Sequence, residues 1–259
     1  MTQHRPASPA RRHVMGILTA AVAYLPFSVA TRAGSRHFSS RPCVPCFLRG
    51  TRILTENGEV TVENLRIGDV VITKNGAMPI KWIGRRAFQK SGGSTWPSSV
   101  MPIRISRFAI DEHTPHRDLY LSPHHALFID GALICASCFD NGVSILPALP
   151  KGVSSIQYFQ VELATHEVIY AEGTPIETFQ ANKTTREMFS NFAEYEHLYP
   201  GDTNISLQPC AGQLSPYSGG RAELKGLLRR VTSQFVDVRD PIQIAYDKLA
   251  KRGKELAAS

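Results

Sequence analysis

The sequence predicts an all-β protein, built from hairpins and followed by a small helical extension at its C-terminal end. Between residues 51 and 179, short runs of β-branched and aromatic residues alternate with turn signals. Asn-Gly and Asp-Gly dipeptides in this region supply the positive φ that tight hairpin turns need. They begin at Asn57, Asn75, Asp130 and Asn141. Helical periodicity is nearly absent before residue 183 and returns after it.

The predicted strands are short and follow one another at the spacing typical of hairpin-built sheets. In chain order they span 60–62, 70–73, 80–83, 103–105, 119–121, 129–135, 156–163, 167–170 and 175–179. Residues 89–100 contain Ser-Gly-Gly-Ser and a proline, so a loop is expected between strands there. Residues 46–183 are therefore predicted to form one β domain.

Residues 184–259 are predicted to be a linker with helices. One helix is expected over 185–198, and a second over 224–235, where apolar residues share one helical face. A Gly-, Pro- and Ser-rich linker over 200–220 separates them. A final basic helix is expected over 241–256. We expect it to dock by its apolar face with its charges in water; contact with a membrane surface is the alternative.

Residues 1–30 have the features of a secretory signal. Arginines precede an apolar run over 14–25, and small residues at 28–30 suit cleavage. That run is too short to span a bilayer core comfortably. The segment predicts export to the periplasm or the extracellular space; without a signal there, a cytoplasmic location is expected. Residues 31–45 are predicted to be an irregular leader.

Charge and cysteine content narrow the classes of partner and ligand. The net charge of +7 is modest, and no basic stripe is interleaved with aromatic residues, which argues against a nucleic-acid partner. Two Cys-x-x-Cys pairs have the spacing of zinc ligands, but they lie too far apart in the chain for a compact zinc module. The odd number of cysteines leaves at least one thiol unpaired or reactive in an exported protein. The cysteines are Cys43, Cys46, Cys135, Cys138 and Cys210.

Four histidines lie close together in the sequence, but they do not predict a metal site. They are His113, His116, His124 and His125. Their proximity is interpreted as a coincidence of loop and strand ends. No metal and no cofactor is predicted.

A thiol placed just after the irregular leader suggests a different chemistry. A thiolate at Cys46 that adds to the carbonyl carbon of Pro45 converts the amide between them into a thioester. An amide nitrogen leaves only if it is protonated as the bond breaks, so a general acid must lie beside it. An imidazole held by a hydroxyl can serve near neutral pH. The thiol also needs a base or a favourable electrostatic site, and the oxyanion needs a hydrogen-bond donor.

Three stretches in order resemble the Hint (Hedgehog/intein) domain family, which has a horseshoe-like all-β fold. They are Cys46–Thr55, Val62–Val71 and Ser122–His125. The segment Trp-Ile-Gly-Arg at 82–85 resembles the bacterial Hint-like autoprocessing subgroup. The resemblance runs from about residue 46 to residue 179 and continues weakly to residue 210. It implies that residues 46–183 are a Hint-like domain.

The resemblance also implies roles for individual residues. Cys46 corresponds to the nucleophile that begins such domains. Ser122 and His125 correspond to the threonine and histidine that strain and protonate the scissile amide. His166 corresponds to the histidine of the downstream motif, where it supports catalysis.

Two departures from the family pattern bear on the reaction. The position where many members carry an aspartate, seven residues before His166, is Phe159, with Gln160 beside it. No His-Asn pair followed by Cys, Ser or Thr occurs near residue 180, so splicing is not expected.

The resemblance therefore implies a single-turnover cleavage of the Pro45–Cys46 bond through a thioester. The substrate is the chain's own N-terminal segment, and water or an external nucleophile resolves the thioester. Two alternatives stay open. One is an exported β-rich structural or binding protein with an inactive Hint fold, whose cysteines pair as Cys43–Cys46 or Cys135–Cys138. The other is a zinc-stabilised module.

Overall fold

A computed structural model of the protein describes residues 44–90, 92, 95–180, 183–202, 215–216 and 241–258. The strands within these ranges are β1 Phe47–Leu48, β2 Arg52–Thr55, β3 Gly58–Thr61, β4 Val70–Thr73, β5 Gly76–Pro79, β6 Trp82–Gln89, β7 Ile103–Ile105, β8 Leu119–Leu121, β9 Ala126–Ile129, β10 Ala132–Cys135, β11 Ile145–Pro147, β12 Ser155–Glu162, β13 Val168–Ala171, β14 Thr174–Glu177 and β15 Ser215–Pro216. The α-helices there are α1 Lys183–Arg186, α2 Phe192–Leu198 and α3 Pro241–Ala258, and 3-10 helices span Val62–Asn64 and Ala136–Phe139.

The strands form two antiparallel sheets, which confirms the predicted all-β class. The six-stranded sheet has the order β11-β7-β8-β1-β12-β6. The nine-stranded sheet has the order β15-β10-β9-β14-β13-β2-β4-β5, with β3 paired to β2. Neither order closes into a barrel within the described residues. Strand β1 lies inside the first sheet, between β8 and β12. The chain directly after Cys46 therefore has a paired strand on each side.

Tight turns at the predicted dipeptides join the hairpins β2–β3, β4–β5 and β9–β10. At the last of these, Asp130 and Gly131 have φ of 50° and 87°. Because positive φ cannot continue a strand, the single strand predicted over 129–135 is wrong, and the chain reverses there. A further hairpin, β13–β14, turns at Glu172 and Gly173, with φ of 48° and 78°.

Two apolar clusters hold the sheets together. Alternation along β1 places neighbouring residues in different clusters, with Phe47 in the larger one and Cys46 and Leu48 in the other. The second cluster is built around the fully buried Trp82. Burying each large apolar side chain contributes about 1.5–3 kcal/mol. The residues that follow the Pro45–Cys46 bond are thus fixed by packing.

The single helix predicted over 185–198 is wrong, because the structure has two short helices there. Helix α1 ends at Arg186 and α2 begins at Phe192. Between them, the Asn191 side chain accepts a hydrogen bond from the Arg85 amide at 2.8 Å and donates to the Ile83 carbonyl at 2.9 Å. These bonds tie the break to β6. Tertiary contacts therefore override the local helical pattern.

The final helix agrees with its prediction. Helix α3 buries Ala245 and Leu249 against the larger cluster, and Lys248 and Lys254 are exposed. Arg252 departs from the expected solvated face, since its Nε donates to the Phe108 carbonyl at 3.1 Å. Among the described residues, no helix has the length and apolar character needed to cross a bilayer.

Several predicted features lie outside the described residues. They are the signal segment 1–30, nearly all of the leader, the helix over 224–235, and most of the linker over 200–220. Within that linker, residues 215–216 form β15 and pair with β10. The export prediction thus stays a prediction.

Candidate active site

Cys46 is held by one side-chain and one backbone hydrogen bond to Ser122. The Cys46 amide N–H donates to Ser122 Oγ at 2.8 Å, and the Ser122 amide donates to the Cys46 carbonyl at 2.9 Å. The Ser122 hydroxyl in turn donates to the Val44 carbonyl at 3.2 Å. A hydroxyl has one donor and two acceptor positions, so Ser122 can serve both neighbours of Pro45 at once.

A tight turn brings His125 back toward the same peptide. The turn follows β8, and the His125 amide donates to the Ser122 carbonyl at 3.0 Å. The His125 ring is fully buried and meets the Phe47 ring edge-on, with centroids 4.4 Å apart. Nε2 lies 3.0 Å from the Glu177 carbonyl oxygen, which can only accept. Nε2 therefore carries the proton of the neutral ring, and Nδ1 holds the lone pair.

His125 is neutral near pH 7. Burial lowers its pKa, and the opposing influences are the Glu177 carboxylate and the backbones of Glu177 and Cys46. Among the described residues, Nδ1 of His125 is buried and has no hydrogen-bond partner. A charge on His166 would lower the pKa of His125 further.

His166 is linked to His125 through Glu177, a residue that the sequence analysis missed. His166 Nε2 lies 3.4 Å from Glu177 Oε2, and Glu177 Oε1 accepts from the Ala126 amide at 2.8 Å. Glu177 thus spans the two histidines from β14. The sequence did contain a signal for Glu177, because it is a carboxylate inside the apolar pattern of the predicted strand 175–179.

Gln160 is a second residue that the sequence analysis did not assign to the site. Its amide is assigned the orientation that gives both ends a partner, in which Nε2 donates to the Pro45 carbonyl and Oε1 accepts from the Phe179 amide at 2.9 Å. Gln160 is fully buried on β12. Alternation sends its neighbour Phe159 to the larger apolar cluster, opposite Phe47. The side chain beside the expected aspartate position is therefore the one that meets the Pro45 carbonyl.

The Cys46 thiol is protonated in this environment. Only 3% of the residue is exposed, and its sulfur is in no disulfide. Burial raises the pKa of the thiol far above its ordinary value, and the nearby Arg86 only partly opposes this. Cys46 is a free thiol, and Cys43, its partner in the structural alternative, lies outside the described residues.

The second cysteine pair lies beside the Ser122–His125 turn. Cys135 Sγ lies 3.5 Å from the His124 carbonyl, and a hydrogen bond from Cys135 lowers the pKa of Cys138 to about 7. Both are thiols, so the proposed Cys135–Cys138 disulfide is absent. The four-cysteine zinc hypothesis includes Cys43, which lies outside the described residues.

The model of the Hint domain family matches residues 45–183, just over half of the chain. The chain therefore belongs to the Hint domain family. The match begins at the proline before Cys46 and ends at the start of α1.

Solved structures with a similar arrangement include inteins and an intein-like domain. The bacterial intein-like domain from Clostridium thermocellum has 15% identity and a TM-score of 0.37, covering 52% of this chain and 98% of that one. A DnaB intein from Synechocystis has 7% identity and a TM-score of 0.38, covering 52% and 99%. The gp41-1 intein has 12% identity and a TM-score of 0.34, covering 51% and 97%. These values are low, so membership rests on the family match. No curated protein matches the sequence.

Proposed function

We propose that the protein cleaves its own Pro45–Cys46 bond by a single-turnover N-to-S acyl shift, without splicing. The observation that carries the proposal is that both polar atoms of this peptide meet a buried side chain: Ser122 at the nitrogen and Gln160 at the carbonyl oxygen. The substrate is the chain's own N-terminal segment. Water or an external nucleophile releases that segment from the thioester.

The residues can divide the chemistry as follows. His125 takes the proton of the Cys46 thiol, and Sγ adds to the Pro45 carbonyl carbon. The oxyanion is stabilised by the Gln160 amide. The carbon–nitrogen bond then breaks as His125 returns the proton to the Cys46 nitrogen. Ser122 holds that nitrogen in place, which keeps the leaving group and the nucleophile together.

A second candidate function is a structural or binding protein with an inactive Hint fold. The buried, protonated state of the Cys46 thiol favours it, since the thiolate is the nucleophilic form.

The proposal predicts a fragment that begins at Cys46 and forms faster with dithiothreitol. Intact-mass measurements over time, with and without the thiol, detect it. Cys46→Ala should give none, whereas the matched control Cys138→Ala should cleave as the unchanged chain does. Full-length protein in every sample would favour the inactive fold.

The oxyanion role predicts that Gln160→Ala slows cleavage by about 10²–10³-fold, the usual cost of losing such a donor. Gln157→Ala is the matched control, because Gln157 lies on the same strand and accepts from Arg49 at 2.9 Å. Cleavage rates from the mass assay give the comparison. Equal rates for the two variants would remove Gln160 from the mechanism.

A further inference from the structure

A second group of ionisable side chains shares no residue with the candidate active site. It joins Glu59 from β3, His116 from the loop between β7 and β8, and Glu172 from the β13–β14 turn. His116 Nε2 lies 3.1 Å from Glu59 Oε1 and 3.2 Å from Glu172 Oε2. One atom from each residue lies within 4.8 Å of the other two. The three residues are far apart in the sequence, so only the fold brings them together.

Hydrogen bonding leaves part of this group unsatisfied. Nε2 of His116 carries at most one proton, yet two carboxylate oxygens converge on it. The Glu172 side chain is 4% exposed, and its Oε2 is buried with no hydrogen bond. Its Oε1 is already used by the Arg52 amide at 2.8 Å. A buried carboxylate oxygen without a hydrogen bond is costly, so it points to a ligand that the group can bind.

The separations suit a metal ion. Zinc bonds of about 2.0–2.2 Å to nitrogen and oxygen place neighbouring ligand atoms ~3.3–3.6 Å apart in a tetrahedron. The distances from His116 Nε2 to the two carboxylates, 3.1 and 3.2 Å, are within a few tenths of an ångström of that edge. The two edges that His116 shares with the carboxylates therefore need little movement, and the two carboxylate oxygens lie within 4.8 Å of each other.

The backbone fixes the positions of His116 and Glu172. The His116 amide donates to the Glu172 carbonyl at 3.1 Å, and the Glu172 amide donates to the Arg52 carbonyl at 2.9 Å. The imidazole lies against Gly173, where an added Cβ would come within 3.0 Å of Nδ1. The absence of a side chain at Gly173 leaves room for the ring. Ligands held in this way lose little entropy on binding.

The outer side of the group is open. The side chains of Glu59 and His116 are 26% and 36% exposed, which gives an ion an entry path and leaves room for a water ligand. Arg117 is close enough to Glu172 to interact with its charge and would oppose a cation. Two carboxylates outweigh that single charge.

We propose that Glu59, His116 and Glu172 form a binding site for a first-row divalent metal ion, of which Zn²⁺ is the probe. Imidazole suits zinc and its neighbours in the series, and two carboxylates balance the charge of the ion. The bound ion connects β3, the loop before β8 and the β13–β14 turn. It therefore stabilises the folded chain in proportion to its occupancy.

The test is a Zn²⁺ titration of the full-length protein by competition with a chromogenic chelator. Removing a ligand should weaken binding by more than the roughly tenfold that even a lost outer-shell partner costs. We expect this loss in His116→Ala and in Glu59→Gln. His113→Ala is the matched control, since that histidine is exposed on the same loop, and its affinity should be unchanged. Glu59 is exposed, so its variant keeps the test valid if the other misfolds.

Cobalt substitution identifies the ligands independently, because thiolate ligands give a sulfur-to-cobalt charge-transfer band. The proposal predicts one Co²⁺ per chain, bound without that band and lost in His116→Ala. Absence of binding, unchanged affinity in His116→Ala and Glu59→Gln, or a charge-transfer band from the bound ion would each overturn it.

Discussion

At the scale of single residues, the unusual feature is a buried thiol and a buried imidazole whose residues both hydrogen-bond to Ser122. Burial acts in opposite directions on them: it raises the pKa of Cys46 and lowers that of His125. At rest the pair is therefore uncharged. The pair of charges that suits attack and protonation, a thiolate with an imidazolium, is a minor tautomer of this neutral pair.

This ordering predicts a flat pH profile for thioester formation. Above the pKa of His125 and below that of Cys46, each pH unit raises the thiolate fraction about tenfold and lowers the imidazolium fraction equally. The ordinary values are 6.5 and 9.0, and burial moves them apart, so the plateau should cover at least pH 6.5–9.0. Below the pKa of His125 the rate should fall with pH. The rate of thioester formation is measured as the rate of cleavage when saturating hydroxylamine captures the thioester.

The control is His125→Ala, in which only the thiol titrates. Its rate should be lower, and it should rise about tenfold per pH unit across the same range. A profile for the unchanged chain that rises in this way would mean that His125 is not the acid.

The site was only partly accessible from the sequence. Cys46, Ser122 and His125 come from short motifs and lie together in the structure. Gln160 and Glu177 come from β12 and β14, whose register is set by pairing with distant strands. A shift of one residue would exchange Gln160 with Phe159, and local sequence does not specify that choice.

At the scale of secondary-structure elements, a buried ion pair joins α1 to the end of β12. Arg186 donates to both carboxylate oxygens of Glu162, at 3.1 and 2.8 Å, and each side chain is 3% exposed. The guanidinium also lies 4.3 Å from the Tyr195 ring centroid. Lys81 is a second cation, 3.4 Å from Glu162. The pair fixes α1 and α2 beside the strand that carries Gln160.

Arg186→Ala should lower the free energy of unfolding by about 3–5 kcal/mol, because it leaves a buried carboxylate with a weaker partner. Urea unfolding followed by circular dichroism measures this. Arg85→Ala is the control: its ion pair with Glu194 spans 3.7 Å on the surface, so the change should be under about 1 kcal/mol. Similar losses in the two variants would contradict the structural role of the buried pair.

Elements differed in how far local sequence determined them. Three hairpin turns were predictable, because positive φ selects Asn-Gly and Asp-Gly directly, whereas the β13–β14 turn at Glu172 and Gly173 lacks that signal. The break between α1 and α2 was not, because it depends on the bonds of Asn191 to β6. Those bonds exist only in the folded chain.

At the scale of the whole molecule, the C-terminal helix connects to the candidate active site through one intermediate element. Helix α3 packs on the 3-10 helix Ala136–Phe139. The amides of Ala136 and Ser137 donate to the carbonyls of His125 and Pro123, at 2.9 and 3.0 Å. The last helix therefore supports the turn that presents His125.

Leu249→Ala should lower the free energy of unfolding by about 2–5 kcal/mol, since Leu249 is the fully buried residue on the inner face of α3. It should also slow cleavage at a temperature where the variant is folded. Lys248→Ala is the control, because Lys248 is exposed and its ion pair with Asp130 spans 3.5 Å. Lower stability with an unchanged cleavage rate would rule out support of the turn by α3.

The interior position of β1 has a consequence for reversibility. When the carbon–nitrogen bond breaks, Cys46 carries both the new amino group and the thioester, and β1 keeps its ladders to β8 and β12, so the site stays assembled around them. Recapture of the acyl group by that amine is then intramolecular, and amides are more stable than thioesters. The broken state should persist only while something else consumes it, which makes the supply of an outside nucleophile the control point of the reaction.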